Sequence, residues 1–79
     1  MEKTRRHRSV QVRLGLRIRE IRHEINLSQE KLALKAGIDR TYMNSVENGR
    51  RNISIGSLTK ITTALGVSLG QFFSSPSFQ

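Results

Sequence analysis

Residues 27–52, LSQEKLALKAGIDRTYMNSVENGRRN, constrain the fold more than any other stretch of the chain. Ser28 carries the hydroxyl that caps a helix start. Gly37 can take the left-handed conformation that ends a helix, and Asp39 can cap the next one. Leu32 and Ala33 face inward from the first segment. Ala33, Leu34, Ala36 and Ile38 are small or apolar where two helices must touch, and Met43 and Val46 form the apolar stripe of the second segment. The punctuation predicts a helix over 28–36 and another over 39–48, joined by a tight turn. Gly49 ends the second, and Arg50, Arg51 and Asn52 follow as a polar loop.

The flanking segments are helical by the same logic. Val10, Leu14, Ile18, Ile21 and Ile25 recur at spacings of four and three, which marks one face of a helix. Ser9 is its expected cap, Asn26 its end, and Leu27 turns back to the core. Gly15 interrupts the pattern at a cost in helix propensity, which a close approach by another helix would explain. Ile53 and Ile55 are expected to re-enter the core. Ser57 is expected to cap a fourth helix bearing Leu58, Ile61, Ala64 and Leu65, with Gly66 at its end. Ser68 then starts a short fifth helix with Leu69, Phe72 and Phe73. No stretch shows useful strand-like alternation. The expected fold class is all-α: a compact five-helix domain over 10–73, a flexible basic arm over 1–9 and a short tail over 74–79 that is expected to be mobile, although Phe78 could fold back.

Seventy-nine residues make one domain, and one this small often gains stability by oligomerising. It has no cysteine, hence no disulfide framework and no thiolate metal site. No apolar run approaches a membrane span, and no apolar signal core follows the basic N-terminus, so a soluble cytoplasmic protein is expected. The formal charge is +8, and residues 1–24 carry eight Lys/Arg against three Glu. Such a balance attracts phosphate backbones, and counterion release drives that binding. A solvated surface would explain the charge equally well on its own. Two short helices joined by a tight turn, however, have the shape of a helix-turn-helix, whose second helix enters the DNA major groove. The local pattern and the charge therefore point to one partner, double-stranded DNA.

The stretch LSQEKLALKAGIDRTYMNSVENG resembles the Xre-type, lambda-repressor-like helix-turn-helix family, which includes phage repressors and the controller proteins of restriction–modification systems. The shared features are Leu27, Gln29, Leu32 and Ala33 of a Leu-x-Gln-x-x-Leu-Ala helix, the Gly37 turn, and the Glu47-Asn48-Gly49 run. ALGVSLGQFF also looks like the family's closing helix pair. The resemblance covers roughly residues 10–73, and IDRTYMNSVENGRRN is most similar to controller proteins.

This resemblance implies roles for particular residues. The first exposed positions of the recognition helix read base edges in the family; by position these are Arg40, Thr41 and Ser45, with Asn44 beside them. Arginine can donate two hydrogen bonds to guanine, and the threonine methyl can meet a thymine methyl. Ser28 and Gln29 open a helix whose N-terminus is an anion site, and the family's matching Gln anchors a phosphate. Tyr42, Asn48, Arg50, Arg51 and Asn52 are the further phosphate candidates, although Tyr42 could equally stack on its own protein surface. Arg22 and Glu47 match an ion pair between the first and third helices of phage repressors. Leu69, Phe72 and Phe73 are many large apolar groups for one short helix; they form either a closing core layer or a self-complementary dimer patch, and the family supports the dimer.

His7 and His23 stand without a ligand array, and no catalytic constellation is visible, so neither enzyme activity nor a metal or other cofactor is expected. The reading is a homodimeric, sequence-specific transcriptional regulator acting on a pseudo-palindromic operator, with RNA polymerase as the partner that activation would imply. The alternatives are an antitoxin that autoregulates its operon and a general basic nucleic-acid binder.

Overall fold

The computed structural model describes residues 9–78; the basic arm apart from Ser9 lies outside them. Among the described residues five α-helices follow one another: α1 (Val10–Glu24), α2 (Gln29–Ala36), α3 (Arg40–Glu47), α4 (Ile55–Leu65) and α5 (Leu69–Phe73), closed by a 3₁₀ turn at Pro76–Phe78. No strand occurs among the described residues.

Each helix starts on a capping side chain. Ser9, Ser28, Asp39, Ser54 and Ser68 all sit in extended conformation and accept a hydrogen bond from a first-turn N–H. Ser68 and Gln71 complete a reciprocal capping box. Gly37 and Gly66 end α2 and α4 in the left-handed conformation, and Asn26 takes positive φ after α1.

The fourth helix starts earlier than expected. Ser57 is not its cap: the Ser57 N–H donates to Ser54 Oγ at 3.0 Å, one turn inside. Ile55 consequently lies in the exposed first turn, at 68% exposure, and Ile53 alone of the pair packs on the core. Leu34 is likewise a surface residue, 75% exposed, because Leu32, Ala33 and Ala36 fill the inner face of α2. Val10 and Ile25, the ends of the α1 stripe, are also exposed.

The core joins Leu14, Ile18 and Ile21 of α1 to Leu32 of α2, Met43 and Val46 of α3, Leu58, Ile61 and Leu65 of α4, and Phe72 of α5. α3 lies against both α1 and α2, while α4 backs α2. Gly15 shows how closely α1 meets α3: a Cβ there would stand 2.6 Å from the Val46 carbonyl oxygen, which no side chain tolerates. The tail folds back, and the Phe78 ring packs 4.9 Å from Phe73 and 6.2 Å from Phe72.

Candidate nucleic-acid interface

α3 is held between two helices and turns its polar side outward. Asp39 Oδ2 accepts from the N–H groups of Thr41 at 2.9 Å and Tyr42 at 3.3 Å, which fixes the first turn. Met43, Val46 and Glu47 are buried; Arg40, Thr41, Asn44 and Asn48 are exposed, and Ser45 is half-buried. Arg40, Thr41 and Asn44 line a shallow depression with Gln29 from the start of α2. Three of the four expected base-reading residues, Arg40, Thr41 and Asn44, therefore share one surface with Gln29, an expected phosphate anchor, and Ser45 does not line it.

Behind that surface lies a buried ion pair. Arg22 grips Glu47 through two parallel bonds, Nε to Oε2 at 2.8 Å and Nη2 to Oε1 at 2.9 Å, and its third nitrogen donates to the Leu27 carbonyl at 3.0 Å. The Glu47 side chain is fully enclosed. A carboxylate so placed is tolerable only with several donors around it. Gln29 Nε2 supplies another, 3.2 Å from Oε1, and Arg19 approaches with Nε at 3.5 Å. The pair joins α1 to α3, while Gln29 adds α2, so the two helices of the motif are fixed relative to each other by polar contacts as well as by the core.

Asn48 is exposed, but its side chain is engaged within the protein. Its nitrogen donates to the Asn44 carbonyl at 3.0 Å and to Asn44 Oδ1 at 3.2 Å; its oxygen accepts from Arg19 Nη2 at 3.2 Å. Gly49, at φ +72°, lets the chain leave α3 beside Val12 of α1. Arg50, Arg51 and Asn52 then form an exposed loop. Asn52 is steadied by Gln11 Nε2 at 2.5 Å, and the Arg51 guanidinium sits 5.0 Å from the centroid of the Tyr42 ring. Tyr42 thus stacks with its own protein, leaving its hydroxyl end as the group available to a phosphate.

In the C-terminal helix α5 the aromatic cluster divides. Phe72 is 0% exposed and belongs to the core, so its expected place in a dimer patch is corrected: α5 docks with this ring inward. Leu69 and Phe73, the latter 39% exposed, remain on the surface.

Two arginines escaped the sequence reading. Arg19 belongs to the polar cluster just described. Arg17 donates to the carbonyls of Phe72 at 2.7 Å and Gln71 at 2.9 Å, closing the end of α5, and pairs with Glu20 at 2.8 Å. Spacing along α1 marks both as polar, and only the tertiary approach shows what they bind. Among the described residues, no helix is long and apolar enough to cross a membrane.

Residues 18–72 match the model of a family described as helix-turn-helix. The chain is similar to Control protein C.MunI of Mycoplasma sp, 42% identical over 66 residues, which span 82% of this chain and 89% of that protein. It is similar in structure to the restriction-modification controller protein C.AhdI of Aeromonas hydrophila, with a TM-score of 0.77 and 43% identity over 80% of this chain and 96% of that one. It also resembles the controller protein C.Esp1396I, solved as a tetramer in complex with its natural 35 base-pair operator, with a TM-score of 0.78 and 39% identity over 84% of this chain and 88% of that one.

Proposed function

The chain belongs to the helix-turn-helix family, and from that membership we propose that it is a homodimeric, sequence-specific DNA-binding transcriptional regulator of the restriction–modification controller type. The observation that carries the reading is the shared surface of α2 and α3. Arg40 and Thr41 stand free on the first turn of α3, beside Gln29 at the start of α2.

Placed in a major groove, α3 brings Arg40, Thr41 and Ser45 to the base edges. The start of α2, with Ser28 and Gln29, faces the phosphates, and Arg50, Arg51 and Asn52 meet the backbone beyond α3. Asn48, whose amide is spent on Asn44 and Arg19, supports this surface from within. Leu69 and Phe73 join two copies about a two-fold axis, so that two α3 helices face one side of the duplex. Such a dimer works in the cytoplasm without catalysis of its own: it represses by occupying a promoter and activates by touching RNA polymerase beside it.

Footprinting on the DNA upstream of its own gene tests the proposal. A protected pseudo-palindrome with half-sites about 34 Å apart, one helical turn, is expected. Equal protection of unrelated DNA, or a monomer in sedimentation with operator present, contradicts it.

A further inference from the structure

α5 is five residues long, far below the length at which a helix holds itself in water. Its capping box, Ser68 with Gln71, lies within the segment and does not fasten it to another helix. Phe72 anchors α5 to the core by one ring, which fixes where the helix sits. An apolar contact of this kind is non-directional: it sets a position without setting an angle.

The angle comes from Arg17 on α1. Its Nε donates to the Phe72 carbonyl at 2.7 Å and its Nη2 to the Gln71 carbonyl at 2.9 Å, while Nη1 is held by Glu20 at 2.8 Å. The guanidinium is a rigid planar fork, so two adjacent carbonyls gripped by it turn only with α1. They lie at the end of α5, where the partial negative charge of a helix C-terminus favours a cation. The Arg17 side chain is 15% exposed, so water competes little for these bonds.

The same helix holds the reading surface. Arg22 of α1 grips Glu47 of α3, and Arg19 reaches Glu47 and Asn48. α1 is thus a strut bonded to α3 through two arginines and to α5 through a third. α3 carries Arg40 and Thr41, and α5 carries Leu69 and Phe73 on its surface. The angle between the surface that meets a second copy and the helix that enters the groove is set through α1.

We infer that Arg17 is a positioning residue that fixes the separation and phase of the two half-sites the dimer accepts. It acts by orienting α5, and through α5 the partner copy. The inference rests on the dimer reading above and adds to it the side chain that holds two α3 helices at one spacing. One extra base pair between half-sites moves one of them by about 3.4 Å and turns it by about 35° about the duplex. A dimer with α5 held at a fixed angle cannot follow that change, whereas one with α5 released can.

The test uses wild type, Arg17→Lys, Arg17→Met and Phe73→Ser. Each is titrated against the operator protected upstream of its own gene, and against versions with one base pair added or removed between the half-sites. Sedimentation without DNA and thermal melts accompany each variant. The wild type should lose about tenfold on either altered operator, the scale of one misplaced position. Arg17→Lys keeps the stem and the charge but offers a point donor in place of the fork. It should still dimerise and bind the native operator within about threefold of wild type, the scale of one net hydrogen bond, while its penalty for altered spacing falls to about twofold. Arg17→Met loses both bonds and should weaken self-association about tenfold, with little difference left among the three operators. A folded Arg17→Lys with the wild-type penalty overturns the inference, and so does a wild type indifferent to spacing. An Arg17→Met that weakens on all three operators by one common factor also overturns it, since that is the mark of lost stability alone. If Arg17→Met does not fold, Arg17→Lys decides; an Arg17→Lys that does not fold overturns the inference, because Arg17 then holds up the monomer itself. A wild type that stays monomeric on the operator, or a Phe73→Ser that dimerises as wild type does, sinks the dimer reading as well, and is seen without any Arg17 variant.

Discussion

The reading surface and the C-terminal segment of this small domain are held in place by different means. At the reading end, Glu47 gathers donors from Arg22, Gln29 and Arg19, and the helices are oriented by bonds with a defined donor and acceptor. At the C-terminal end, Phe72, Phe73 and Phe78 pack edge to face, and Arg17 ties down two carbonyls of α5. Aromatic packing supplies area without donor–acceptor direction, which suits two copies pressed together. Hydrogen-bonded side chains supply direction, which suits reading a base edge. The contrast suggests that DNA recognition and self-association answer to different perturbations.

Salt should separate the two ends most widely. If six to ten phosphates are neutralised per dimer, DNA affinity falls roughly 10³–10⁵-fold between about 50 and 200 mM salt. Dimerisation through Leu69 and Phe73 should change little over that range, as sedimentation without DNA will show. A salt-sensitive dimer with salt-insensitive DNA binding would break the contrast.

Removing Arg22 probes the reading end alone. Arg22→Met leaves Glu47 enclosed without its main partner and should cost about 3–5 kcal/mol in urea unfolding, the scale for breaking a buried pair. Since Gln29 and Arg19 also lean on Glu47, the folded fraction should lose operator preference as well.

Neighbouring aromatics sharpen the account of the other end. Phe72→Ala empties a filled core position and should destabilise the monomer by about 3–5 kcal/mol. Phe73→Ser loses the ring contacts to Phe72 and Phe78 but empties no enclosed core position, so it should lower the melting temperature less than Phe72→Ala while weakening self-association and operator binding together. Equal loss of stability in both would mean that Phe73 is core as well.

Much of this architecture is legible in the sequence because local signals carry it. Ser9, Ser28, Asp39 and Ser68 mark the starts and Gly37, Gly49 and Gly66 the ends of helices, and Gly15 announces a close approach that α3 makes. The misplaced cap of α4 has a simple cause. Its inward stripe begins only at Leu58, so a reading by hydrophobic period puts the start at Ser57, while the backbone coils from Ser54. Adjacent residues such as Phe72 and Phe73 point about 100° apart on a helix, and the docking of α5 decides which of them turns inward. Arg17 pairs locally with Glu20, but its carbonyl partners and the partners of Arg19 lie 28 to 55 positions away, beyond the reach of any local pattern. In the candidate site, Arg40 and Thr41 are exposed as the sequence suggests. The engagement of Asn44 and Asn48 with each other was hidden, because a solvated amide and a bonded one look the same in a sequence.

The central claim is that the first turn of α3 reads sequence while the loop after it only anchors. Titrating Arg40→Ala and Arg51→Ala against the operator and its single-base variants tests this directly. Arg40→Ala should cost roughly 1–3 kcal/mol on the cognate site and relax preference at one base pair per half-site, and Arg51→Ala should weaken cognate and random DNA by similar factors. If Arg40→Ala lowers affinity equally for every sequence, Arg40 meets the backbone and the assignment of the reading residues is wrong.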